Sequence, residues 1–157
     1  MKVLKVNLGI DAAKDNCGCN LSKLTDELVV KVIAAKVFLN TEHGLGELVK
    51  WLIKNCPVEC KKVHVVIEAS GVYHERFALG LQQAGYCVSV VLPNKAKKYM
   101  ESLGLKSKND SIDAKGLAQM GCEQNLEEWT PLSPFYHELR TLYKIARRYS
   151  TKENRDN

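Results

Sequence analysis

An α/β fold built on a mixed sheet is predicted by two observations. Three β-patterned stretches open the chain with no helix between them, and a strand–helix–strand unit follows. The length agrees with one domain: 157 residues, 45% hydrophobic and 26% charged, suffice for a packed core and exclude wholesale disorder.

The elements follow in order. Leu4, Val6, Leu8 and Ile10 alternate with Lys5, Asn7 and Gly9, the pattern of a half-buried strand over Val3–Ile10. Cys17, Cys19 and Leu21 alternate likewise, and Val29–Leu39 is rich in β-branched residues, so three strands in an antiparallel meander are expected. Then the period changes. Leu45, Leu48, Val49, Leu52 and Ile53 fall on one face of a helix, with Thr41 as N-cap and Pro57 beyond its end. The run Val63–Ile67 suits a central strand, Val72–Ala84 a helix closed by Gly85, and Tyr86–Leu92 a strand stopped by Pro93. This strand–helix–strand order implies a right-handed parallel crossover. A lysine-studded helix (Asn94–Leu103), a loop at Gly104 and a helix from about Asp110 to Gly121 complete the core. Thr130–Pro134 reads as a hinge. From Phe135 the spacing through Leu139, Leu142, Ala146 and Tyr149 is heptad-like and suggests the start of a helical, coiled-coil segment. The last six residues are polar and are expected to fray.

Three strands, a helix, then alternating parallel strands and helices describe the ribonuclease H-like architecture, with flanking helices and a C-terminal helix. A doubly wound dinucleotide-binding sheet should not begin with three strands in succession, and the chain has neither G-x-G-x-x-G nor a P-loop.

The formal charge of +5 and pI near 8.8 are compatible with a nucleic-acid partner without requiring one. No apolar run reaches the roughly 18 residues of a membrane span. The N-terminal lysines are followed too soon by Asn7 and Asp11 for a signal peptide, so the cytoplasm is the expected location. Six cysteines fall without any C-x-x-C, and no histidine completes a zinc pattern. Free thiols are expected, with Cys56 and Cys60 as half of a zinc site the residual possibility.

Acids fall where ordinary packing would not put them. Asp11 follows the first strand and Glu68 the strand Val65–Ile67, so parallel pairing would bring both to the carboxyl edge of the sheet. Asp110 and Asp113 are three apart, expected on one helix face that continues as Ala114, Leu117, Ala118 and Gly121, the stripe that should pack on the sheet. Carboxylates there are costly unless a cation neutralises them. A pair of Mg²⁺ ions does so economically, since hard cations prefer oxygen ligands and two of them can activate and stabilise phosphodiester oxygens. Spacing alone leaves a plainer account open: first-turn acids at a helix N-terminus, with Ser107 and Asp110 in a capping box. Lys95, Lys97, Lys98, Lys106 and Lys108 precede the Asp pair and could hold phosphates; Arg140, Lys144, Arg147 and Arg148 form a second basic stripe. Either stripe could equally be a solvated face. Tyr73 is expected in the core.

The stretches Gly9–Lys14, Asn40–Gly44 leading to Trp51-Leu52, Glu68–Tyr73, Val91–Asn94 and Lys106–Ala114 resemble the N-terminal, RuvC-like domain of DEDD insertion-sequence transposases, the bridge-RNA-guided recombinases. The resemblance runs from about Val3 to Arg148. It implies that Asp11, Glu68, Asp110 and Asp113 are the four acidic ligands of a Mg²⁺ site, with Mn²⁺ as substitute. Family members usually carry Thr where this chain has Asn109. The resemblance further implies DNA and a structured guide RNA as partners, with no membrane, and a homo-oligomer, dimer or tetramer, of the full-length protein. A second, C-terminal transposase domain would supply a serine nucleophile. On this reading residues 1–125 are the catalytic domain, 126–157 the hinge and start of the helical segment, and the serine domain is absent. Ser70 and Ser111 are then turn and helix-start residues. The expected activity is one half of a transposase that cuts and rejoins DNA. The rival readings are a stand-alone resolvase or nuclease using metal-activated water, an actin-like ATPase, and a non-catalytic module. The ATPase needs a phosphate-binding turn after the first strand, and Asp11–Asn16 lacks one.

Overall fold

A computed structural model of the chain describes residues 2–56, 58–59, 62–104, 112–130, 142–143 and 145–149. Strands β1 (Val3–Ala12), β2 (Asn16–Thr25) and β3 (Val30–Leu39) form the antiparallel meander expected from their alternation. Helix α1 (Glu42–Asn55) then leads to β4 (Val63–Glu68), which pairs in parallel with β1. Helix α2 (Glu75–Gln83) carries the chain to β5 (Cys87–Val91), parallel to β4. Helices α3 (Pro93–Ser102) and α4 (Ala114–Glu123) follow, and the strand order is β3-β2-β1-β4-β5. This is the mixed ribonuclease H-like sheet with flanking helices that the element order implied. Residues 142–143 and 145–149 are helical, and Leu142, Ala146 and Tyr149 are exposed there; Phe135, Leu139 and positions 131–134 of the expected hinge lie outside the described residues.

The sheet divides two cores. Val6, Leu8 and Ile10 of β1, with Val65 and Ile67 of β4, meet Leu48 and Leu52 of α1 and Phe77 and Leu81 of α2. On the other face Val66 and Val91 meet Ala96 and Tyr99 of α3 and Leu117 and Met120 of α4. Alternation within β1 therefore sends Lys5, Asn7, Gly9 and Asp11 to the α4 face. Gly9 is needed there: a Cβ at this position would run into the Ala114 carbonyl oxygen and lie 2.5 Å from the Ala118 nitrogen. The absence of a side chain lets α4 lie directly on β1.

Two helix starts differ from expectation. Thr41 caps α1 as anticipated, its side chain accepting from Gly44 N–H at 3.0 Å. Helix α2, however, begins at Glu75 rather than Val72, because 71–74 form a turn in which Ser70 N–H donates to His74 Nδ1 at 3.1 Å. Helix α4 begins at Ala114 rather than near Asp110. Asp113 is extended and accepts from Gly116 N–H at 2.8 Å, so it is the N-cap. The expectation that Asp113 lies on a buried helix stripe is thus corrected: it is exposed at the helix end, and Asp110 and Ser111 lie outside the described residues.

Beyond α4 the chain is fastened to the edge strand β5. Ser89 Oγ donates to the Glu127 carbonyl at 2.5 Å, Trp129 N–H donates to the Val88 carbonyl at 2.7 Å, and Trp129 packs against the α1/α2 core. Residues 127 and 129 are thereby bonded to β5. Cys17, Cys19, Cys56, Cys87 and Cys122 are free thiols; Cys60 and Pro57 lie outside the described residues. Burial pushes the Cys17 thiol up to about 11, which suits a buried apolar group rather than a reactive one.

Candidate metal centre

Asp11 and Glu68 reach the same edge by register. Ile10 pairs with Ile67, so the residue after each places a carboxylate at the carboxyl end of two neighbouring parallel strands. Both belong to the α4 face. Asp113 comes to them from above, because α4 starts over Gly9 and runs back along β1.

Their electrostatics record this convergence. Asp11 holds its proton above the ordinary carboxylate value, first because it is partly desolvated and second because of the Asp113 charge. Glu68 is raised by desolvation and then by the Asp11 charge. Three like charges therefore meet in sequence: Asp113, Asp11, Glu68. His43–Glu47, Lys50–Glu47 and Arg76–Glu42 are ion pairs among the described residues, and none of these three involves the converging acids. Also among the described residues, no three ligating side chains already close round one point. The fourth expected ligand, Asp110, lies outside them. The donor set is all-oxygen and anionic, which fits a hard divalent cation.

The loops around this edge are tied together. Ser70 Oγ donates to the Ala12 carbonyl at 3.0 Å. Asn40, buried at the end of β3, donates to the Ala13 and Tyr73 carbonyls, each at 2.8 Å. The Arg76 guanidinium in turn donates to the Asn40 carbonyl. Sequence reasoning gave Ser70 a turn role and Asn40 none beyond the motif containing it. The available signal was position: Asn40 directly follows β3 and Ser70 lies two residues after β4, at the edge where the acids emerge. Tyr73 is exposed, not a core residue as expected. It lines an open cleft of about 540 Å³ with Lys14, Asp15, Asn40 and Arg76.

Of the expected phosphate-binding residues, Lys95, Lys97 and Lys98 are exposed on α3, whose other side buries Ala96 and Tyr99. That helix follows β5, whose last residue, Val91, pairs with Glu68. The first basic stripe thus stands beside the acidic edge. Lys106 and Lys108 lie outside the described residues, as do Arg140 and Lys144; Arg147 and Arg148 are exposed on helical residues 145–149.

A transposase family model, the DEDD type of the IS110 group, matches residues 8–156. The chain belongs to this transposase family. It is 32% identical over 141 residues to pilin gene-inverting proteins of Moraxella bovis and Moraxella lacunata, covering 89% of this chain and 41% of each relative. This transposase chain therefore spans about two fifths of the curated relatives it matches. Among solved structures it is similar to Thermus thermophilus RuvC, with a TM-score of 0.56 at 15% identity, covering 79% of this chain and 99% of that one. The fowlpox virus Holliday junction resolvase gives a TM-score of 0.51 at 14% identity, covering 75% and 97%. These two likenesses establish the resolvase-type, ribonuclease H-like fold of the transposase domain. No described helix is long and apolar enough to cross a membrane.

Proposed function

We propose that this chain is the metal-binding half of a cytoplasmic, Mg²⁺-dependent transposase that cleaves and rejoins DNA under the guidance of a structured RNA. The observation that carries the reading is the meeting of Asp11, Glu68 and Asp113 at one sheet edge. Asp110 is the fourth ligand in this reading. A bound pair of Mg²⁺ ions, or Mn²⁺ in their place, would polarise a scissile phosphodiester and stabilise the oxygen that leaves it.

The chain's own residues do the rest. Asp11 and Glu68 hold the site on a rigid sheet, and Asp113 adds its charge from the helix start while capping α4. Lys95, Lys97 and Lys98, with Lys106 and Lys108, bind the nucleic-acid backbone beside the acids, and Arg147 and Arg148 extend that contact. In this reading residues 1–125 form the catalytic body. Residues 126–157 lead through a helical segment to a second domain bearing a serine nucleophile, and the full-length protein works as a dimer or tetramer.

Calorimetric titration with Mn²⁺ tests the metal site. Asp113→Asn is the sharpest variant, because Asn caps a helix as well as Asp but carries no charge. Asp11→Asn and Asp113→Asn are each expected to weaken binding by at least about 100-fold with the fold intact. Unchanged affinity in both would refute the four-carboxylate site. Cleavage of branched DNA by this chain alone, abolished by Asp11→Ala, would replace the transposase-half reading with a stand-alone resolvase.

A further inference from the structure

The paired acids are each fastened to an outer neighbour rather than to one another. Asp11 pairs across β2 with Gly18, and Glu68 pairs across β5 with Val91. Between β1 and β4 the ladder runs only to Ile10 and Ile67, one residue short of both carboxylates. Beyond that rung β1 and β4 have no further paired residues, and loop contacts take over.

Two side chains bridge that gap. Ser70 spends its single hydroxyl proton on the Ala12 carbonyl at 3.0 Å, tying the loop after Glu68 to the residue after Asp11. Asn40 uses both amide protons, one on Ala13 and one on Tyr73, so it holds the same two loops from the β3 side. Neither bridge is loose. Asn40 is 7% exposed and its own N–H donates to the Asp15 carbonyl at 2.9 Å. Ser70 is held from behind, its N–H donating to Nδ1 of His74, which is 8% exposed. Gly71, at φ 61°, takes the left-handed conformation that turns the loop back after Ser70.

We propose that Ser70 and Asn40 are positioning residues that set the spacing of the Asp11 and Glu68 carboxylates. Both act through backbone carbonyls and neither supplies a ligand. The inference deepens the metal-site reading and rests on it. A divalent cation needs its oxygens at nearly fixed distances, so widening this gap lowers affinity without removing a donor.

Asn40→Ala strips two donors from a buried bracket and endangers the fold, so Ser70 carries the test. Mn²⁺ affinity and melting temperature are measured for the 157-residue chain and for Ser70→Ala, Ser70→Thr and Asp11→Asn. Ser70→Ala is expected to bind about 10-fold more weakly, while Ser70→Thr, which keeps the hydroxyl, stays within about 3-fold of the parent. The melting temperature of Ser70→Ala should fall by no more than about 4 °C. Parental affinity in Ser70→Ala, with binding lost in Asp11→Asn, overturns the positioning role and leaves the metal site standing. Equal weakening by Ala and Thr overturns it too, since the hydroxyl bond would not be the cause. Parental affinity in Asp11→Asn removes the metal site and the positioning role together.

Discussion

The α4 side of β1 and β4 has two ends, and they treat polar groups in opposite ways. At the amino end His64 and Ser89 lie deep in the sheet and share a hydrogen bond at 2.6 Å, with Ser89 donating onward to Glu127. One hydroxyl proton cannot serve both neighbours, so His64 Nε2 must be the donor to Ser89. Burial holds His64 below its ordinary value, in keeping with a neutral ring. Asn7 donates to Cys122 Sγ at 3.3 Å nearby; its Oδ1 is the unpaired buried side-chain atom among the described residues. At the carboxyl end three acids converge, and the ion pairs His43–Glu47, Lys50–Glu47 and Arg76–Glu42 do not reach them. At the amino end the polar groups of β1, β4 and β5 are thus paired within the protein apart from Asn7 Oδ1, while at the carboxyl end like charges face one another. Pairing within the protein suits groups that are largely buried, whereas Asp11 and Asp113 are exposed and stay open to solvent or to a bound cation.

The comparison breaks most completely when the contact that unites the two ends is altered. Gly9→Ala forces a methyl group into the backbone of α4 and should cost about 3 kcal/mol, read by urea unfolding. If the variant is as stable as the parent, α4 is not seated on β1 and Asp113 is not held over Asp11.

The amino end should respond in stability alone. Ser89→Ala removes the group shared by His64 and Glu127 and is expected to cost about 2 kcal/mol. Mn²⁺ affinity, measured on the same sample, should stay at the parental value. A loss of affinity would show that the two ends are coupled.

The smallest effect is a dependence on pH at the carboxyl end. Folded Asp11 and Glu68 hold protons more tightly than the unfolded chain, whose ordinary values are 3.8 and 4.5. Their ionisation therefore costs stability, which falls as pH rises from those values through the raised ones. Asp11→Asn should melt higher than the parent near pH 7, and the difference should vanish near pH 3, by calorimetry without divalent ions. A difference that persists at low pH would mean that charge is not its origin.

Much of this arrangement could be read from the residues. Alternation placed β1 and β2, β-branched content placed β3, and short apolar runs placed β4 and β5, whose two faces are both covered. Asp11 and Glu68 were legible for a related reason: each interrupts the polarity expected at the end of an apolar strand. Asp113 was misplaced by one turn, since a cap and a first-turn acid occur in the same kind of sequence and only backbone geometry separates them. Asn40, Ser70 and His74 left no periodic trace, because their partners are backbone carbonyls and amides on loops brought together by the fold. His64 and Ser89 sit 25 residues apart on strands that read as simple apolar runs, and their pairing depends on register.

The fastening of Glu127 and Trp129 to β5 has a bearing on reach. Trp129 is bonded opposite Val88, three residues along β5 from Val91, the partner of Glu68. At about 3.3 Å per residue that is about 10 Å of travel to the acidic rim. A peptide leaving Trp129 could cover that climb with three or four extended residues, so a longer connection has slack to spare. The anchored Trp129 thus sits only a few residues' length along β5 from the level of the acids.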